Sequence, residues 1–231
     1  MKERLVLFDI DGTLVDTGGA GMAALRQAAQ ELFGGDGPKL DLAGSTDSGI
    51  VMGILKHFGE ESTPGRVEEF YATYLSFLAE NLAEGNFGGR VLPGVEGLLE
   101  SFAEGGATLG LLTGNVALGA ELKVRHYGLG DYFGFGAYGD DHHDRNKLGP
   151  IALARAEESA GRSFVAAESL VIGDTPKDIA CGQAIGAVTV CVATGVFSAS
   201  ELRNNGADHV FEDFSDVGAV ISGVFCEGPK H

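Results

Sequence analysis

The stretch Leu5–Thr17, LVLFDIDGTLVDT, decides how the rest of the chain is read. Four apolar residues, Leu5 to Phe8, run straight into Asp9, and Asp11 and Thr13 follow at alternate positions. An unbroken apolar run of this kind reads as a strand buried on both faces. Two carboxylates at its mouth are costly unless something there uses them. Similar runs recur in the second half: ATLGLLT (107–113), SLVIGD (169–174) and AVTVCVA (187–193). Helical patterns lie between them at 94–106, 116–129, 148–161 and 175–186, with Gly105, Gly128, Gly161 and Gly186 near their ends as C-terminal caps. Strands alternating with helices of this length predict an α/β fold with a doubly wound parallel sheet.

From Thr17 to Gly88 helical periodicity continues without a convincing buried strand, which reads as a helical insert. The Gly-rich segment GNFGGRVLPGV (85–95) reads as a hinge returning the chain to the sheet. The expected organisation is a discontinuous α/β core, 1–16 and 89–231, with a helical cap domain at 17–88 inserted into it.

The 231 residues are 44% hydrophobic, and 33 Asp and Glu against 16 Lys and Arg give a formal net charge of -17. Such a charge repels nucleic-acid phosphates and anionic lipid, so neither is an expected partner. Cys181, Cys191 and Cys226 form no CxxC pair and read as reduced core residues of a cytoplasmic protein. The short apolar run before Asp9 is far from a signal sequence or a membrane span.

In open parallel sheets, sites form beyond the carboxyl ends of the strands. Asp9, Thr113 and Asp174 each stand at such an end. Any one alone could cap a helix or shape a turn; three together form a constellation. Of two aspartates at one strand end, one can attack while the other moves protons. Asp174 and Asp178 add further carboxylates, and a hard divalent cation, Mg²⁺, would relieve them. Asp9, Asp174 and the backbone carbonyl of Asp11 are the expected ligands.

FDIDGTLVDT resembles the first motif of the haloacid dehalogenase superfamily, LLTGN (111–115) its second, and VIGDTPKDIACGQAIGA (171–187) its fourth, in the same order. Within it, phosphoglycolate phosphatases and beta-phosphoglucomutases with a helical cap are the most similar groups. The resemblance implies that Asp9 is a nucleophile forming an aspartyl phosphate and that Asp11 is the acid and base. It implies that Thr113 binds a phosphoryl oxygen beside the backbone of Gly12 and Gly114 and the side chain of Asn115. Thr13 would shape the turn and Asp178 would support the metal site.

The third motif, a cation, is less distinct. DRNKLGPIAL (144–153) offers Arg145 first and Lys147 second, with Lys123 on the preceding helix a further candidate that reads more readily as a solvated surface lysine. Asp11 favours phosphoryl chemistry over dehalogenation, because only an alkoxide leaving group needs its proton. The resemblance places a mutase histidine at Gly21 and, with Gly44 taken as the cap glycine, a mutase arginine at Asp47, so a hydrolase is expected and a mutase or phosphotransferase is the alternative. A phosphoacceptor regulatory domain also pairs aspartates with Mg²⁺, but has no use for a cap.

The cap has four basic residues, Arg26, Lys39, Lys56 and Arg66, against ten acids, so it does not advertise a second strongly anionic group on the substrate. Its segment AGSTDSG (43–49) is the candidate specificity loop, with Ser45 and Thr46 as substrate contacts; a plain turn with Asp47 or Ser48 as N-cap is the alternative. His142 and His143 lack the spacing of a zinc site, and their loop is expected to deliver Arg145. His57, His126, His209 and His231 show no partner pattern. The expected partner is a small phosphorylated metabolite, acted on by a monomer or homodimer.

Overall fold

A computed structural model describes residues 4–39 and 43–226. The chain runs β1 (Leu5–Phe8), β2 (Val15–Asp16), α1 (Ala20–Phe33), α2 (Asp47–His57), α3 (Pro64–Ala83), β3 (Arg90–Val91), α4 (Val95–Glu104), β4 (Thr108–Leu112), α5 (Ala117–His126) and β5 (Gly136–Ala137). It continues through α6 (Leu148–Ala160), β6 (Leu170–Gly173), α7 (Pro176–Ile185), β7 (Val188–Val192), α8 (Ala199–Asn204), β8 (His209–Phe211) and α9 (Val217–Cys226). Six strands form a sheet in the order β5-β4-β1-β6-β7-β8, with every neighbouring pair parallel.

Alternation along β1 makes this a three-layer structure. Val6 and Phe8 join one apolar cluster with Leu98, Phe102, Leu111 and Ile172, whereas Leu5 and Leu7 join another with Leu148, Ala152 and Val171. Successive side chains of a strand point to opposite faces, so a strand apolar at every position must be covered on both. Phe8 is in register with Leu111 of β4 and Ile172 of β6, which levels the three carboxyl ends.

Gly128, Gly161 and Gly186 have the positive φ expected of helix ends, but at the end of α4 it is Gly106, not Gly105, that turns left-handed. The segment read as a hinge is more ordered than expected. Residues 90–91 pair antiparallel with 15–16, so the chain leaves and rejoins the core as a two-stranded ribbon. Helices α1, α2 and α3 share an apolar cluster that includes Leu25, Ile54, Leu55, Phe70 and Leu78. Cys181 and Cys191 are buried free thiols; the expectations for the Cys226 side chain and for His231 fall outside the described residues. Among the described residues, no helix is long and apolar enough to cross a membrane.

Candidate active site

A cavity of about 280 Å³ lies between the carboxyl ends of the central strands and the three inserted helices. Its floor is Asp9, Asp11, Asn115, Asp174 and Gly195; its roof includes Leu25, Asp47, Ile50 and Tyr74. Asp9 follows β1 directly, and its backbone N–H donates to the Ile172 carbonyl at 2.9 Å, so the ladder itself fixes where the carboxylate stands. Two glycines permit the close packing around it. Gly12 has φ 81, and a Cβ there would fall 2.4 Å from Asp174 Oδ2. A Cβ on Gly114 would fall 1.9 Å from the Ser45 carbonyl oxygen, so only glycine lets the inserted loop come down onto the second strand end.

Arg145 organises the floor. Its Nη2 lies 2.5 Å from Asp178 Oδ1 and 3.2 Å from Asp9 Oδ1, with all three side chains almost fully buried. Burial works against its charge, but Asp178 and Asp9 outweigh that and hold the guanidinium above its ordinary value. Burial pushes the Asp9 carboxyl up to about 6, against the lowering pull of Arg145. Asp174, which accepts a hydrogen bond from Thr13 Oγ1 at 3.3 Å, is raised well above the usual range by burial and then by Asp178 and Asp9.

A second cation stands on the other side. Lys123 Nζ lies 2.6 Å from Asp11 Oδ2 and donates to Asn115 Oδ1 at 2.6 Å, and Asn115 Nδ2 donates to the same Asp11 oxygen at 2.8 Å. Asp11 is thereby held by two groups from beyond β4. Asp47, at the start of α2, accepts the Val116 backbone N–H at 2.9 Å. Burial raises its carboxyl to about 6 despite the attraction of Lys123.

The structure brings Asp9, Asp11, Gly12, Gly114, Asn115, Arg145, Asp174 and Ser45 to the cavity wall. Thr113 is buried beneath it and accepts hydrogen bonds from the backbone and side chain of Asn115. Thr13 and Asp178 stand behind Asp174 and Arg145, respectively. Two expected site residues are elsewhere. Lys147 is exposed and does not line the cavity. Residues 145–147 form one 3-10 turn; with three residues per turn, positions two apart cannot share a side, so Arg145 points in and Lys147 out. Thr46 is the N-cap of α2, accepting the Gly49 N–H at 3.3 Å and donating to the His143 carbonyl at 2.8 Å, and it too is away from the cavity. Thr46 is therefore the cap in place of Asp47 or Ser48, while Ser45 of the same segment does reach the cavity.

Lys123 is the residue whose sequence reading most needed correction: it is 3% exposed, not solvated. The signal was present, because Lys123 falls on the α5 stripe of Gly119, Ala120 and Val124, where a lysine interrupts otherwise buried positions. Tyr74 on the roof was not foreseen as a cavity residue, and Asp47, although inside the expected specificity loop, was not itself named as a substrate contact.

Carboxylate oxygens of Asp9, Asp174 and Asp178 lie within 4.8 Å of one another. Asp178 is committed: Oδ1 faces Arg145 and Oδ2 accepts the backbone N–H and hydroxyl of Thr175, closing the N-terminal box of α7. Asp9 and Asp174 remain, an all-oxygen pair of raised carboxyls of the kind a hard divalent cation stabilises. The donor chemistry therefore fits Mg²⁺.

A family model described as haloacid dehalogenase-like hydrolase matches residues 3–186. Phosphoglycolate phosphatase of Rhodospirillum rubrum is 29% identical over 227 residues, covering 93% of this chain and 89% of its own. Its namesake from Neisseria gonorrhoeae is 30% identical over 201 residues, covering 83% and 80%. The crystal structure of a beta-phosphoglucomutase from Clostridium difficile superposes with a TM-score of 0.69 at 18% identity, covering 94% of this chain and 93% of that one, a likeness of fold.

Proposed function

The chain belongs to the haloacid dehalogenase-like hydrolase family, and we propose that it is a Mg²⁺-dependent phosphatase that hydrolyses a small phosphomonoester through an aspartyl phosphate on Asp9. Family and named relatives make it a phosphatase; the metal, the intermediate and the residue roles are our reading. The observation that carries it is the division of labour at the floor. Asp9 is buried beside Arg145, whereas Asp11, two residues on, is turned toward Lys123 and Asn115.

In this reading Asp9 attacks phosphorus while Arg145 offsets charge on the phosphoryl oxygens, and Asp11 gives its proton to the departing alkoxide. Water, deprotonated by Asp11, then releases phosphate and regenerates Asp9. Asp9, Asp174 and the Asp11 carbonyl would hold the cation, whose chemistry is to neutralise phosphoryl charge and orient the ester. The inserted helices, 17–88, would act as the cap that excludes bulk water over the core of 1–16 and 89–231. Hydrolysis is favoured over mutase chemistry because Gly21 and Asp47, where a mutase would carry His and Arg, both line the cavity.

The test is phosphate release from a panel of phosphomonoesters, p-nitrophenyl phosphate included, with Mg²⁺ and with excess EDTA. Metal-dependent release is expected; release that survives EDTA would remove the metal from the mechanism. In this reading the protein acts in the cytoplasm as a monomer or homodimer.

A further inference from the structure

The proposed reaction leaves one charged group of the cavity without a task. Asp47 sits on the roof with Ile50 and Tyr74, while the acids of the floor are engaged by cations or by the proposed metal. Its charge is drawn to Lys123 and, more weakly, opposed by Asp11, and it holds the Val116 backbone N–H. Since Asp11 would protonate the departing oxygen, the alcohol portion of the ester must extend from Asp11 toward this roof.

The charges around that space are one-sided. Of the residues lining the cavity, Asp9, Asp11, Asp47 and Asp174 are acids, and Arg145 and Lys123 are the cations. Both cations are engaged by the protein's own acids: Arg145 bridges Asp9 and Asp178, and Lys123 is paired with Asp11 and Asn115 and also attracts Asp47. The nearby Lys177 is turned to Ser45 Oγ at 2.7 Å and does not line the cavity. A leaving group with its own negative charge would meet a buried carboxylate on the roof, among apolar neighbours that weaken screening.

We propose that Asp47 selects the substrate: the ester this protein hydrolyses has an alcohol portion without negative charge, one that offers a hydroxyl or ammonium donor toward the roof. The assignment rests on the phosphatase reading. It sets this chain apart from a phosphoglycolate phosphatase, the name some of its relatives carry, because phosphoglycolate would bring a carboxylate to Asp47.

Three esters of similar size decide it: phosphoglycolate, 2-hydroxyethyl phosphate and phosphoethanolamine, assayed with p-nitrophenyl phosphate as a general reporter. For the wild-type protein, kcat/KM for phosphoglycolate should be at least about tenfold below that for either of the other two. Asp47→Asn should narrow that gap severalfold, chiefly by improving phosphoglycolate. The amide oxygen of Asn can still accept the Val116 N–H, so helix α5 keeps its partner. Phosphoglycolate turned over as well as 2-hydroxyethyl phosphate would overturn the assignment while leaving the phosphatase reading intact. An unchanged gap in a folded Asp47→Asn protein would also overturn it; should that variant not fold, the wild-type comparison decides alone. No release from any ester, the reporter included, would overturn the phosphatase reading and this assignment with it.

Discussion

Lys123 Nζ stands 2.6 Å from Asp11 Oδ2, so the group proposed to protonate the leaving alcohol is held by a lysine from α5 and not by the inserted helices. Lys123→Met would leave Asp11 free to rotate. We expect kcat for an alkyl phosphate to fall about 10- to 100-fold with KM changed little. p-Nitrophenyl phosphate, whose leaving group needs no proton, should lose much less. Equal losses on both esters would mean that Lys123 acts elsewhere than through Asp11.

Arg145 and Lys147 are two residues apart and face opposite ways. Arg145→Met leaves Asp9 and Asp178 buried without their shared cation; breaking a buried pair costs about 3–5 kcal/mol, and activity should be lost as well. Lys147→Met, at an exposed position, should stay within about 0.5 kcal/mol of the parent in urea denaturation and keep its activity. An inactive, folded Lys147→Met protein would show that the turn is misread.

What the sequence made legible divides by mechanism. Asp9 and Asp174 could be found because each follows a short apolar run that reads as a buried strand, and the run itself fixes the strand end. Residues 15–16, 90–91 and 136–137 are two-residue strands, too short for any period to emerge, so the ribbon and the edge strand were invisible. Beyond 196 the six-residue α8 and three-residue β8 went unread for the same reason. Lys123 and Asp47 are set by tertiary approach across more than a hundred and about seventy residues, respectively, to Asp11 and Val116; local pattern carries no such distance.

Gly12 is the point at which backbone shape and metal chemistry meet. Gly12→Ala forces a side chain onto φ 81 and against Asp174 Oδ2. The backbone strain costs about 1–2 kcal/mol, and the displaced carboxylate should raise the Mg²⁺ concentration for half-maximal activity by about tenfold or more. Thermal melts with and without Mg²⁺ check this independently of turnover. The wild-type midpoint should rise with the metal, and that rise should shrink in the variant. An unaltered Mg²⁺ response would remove Asp174 from the ligand set.

Asp47 also makes a prediction about pH that needs no substrate. Burial raises its carboxyl from 3.8 to about 6, so the folded protein keeps this proton at pH values where the unfolded chain has released it. The group's contribution to stability is therefore greatest below about 4 and is lost as pH rises through about 6. A shift of about two units corresponds to at most about 3 kcal/mol. Asn at this position does not titrate. Urea denaturation in EDTA should thus show wild type losing about 1–3 kcal/mol relative to Asp47→Asn between pH 4 and pH 7. A difference that stays flat would mean that the carboxylate is better solvated, or more fully satisfied by Lys123 and the Val116 N–H, than its buried position implies. A difference that grows in the opposite direction would mean that Lys123 dominates burial, and that Asp47 is held as a stable ion pair.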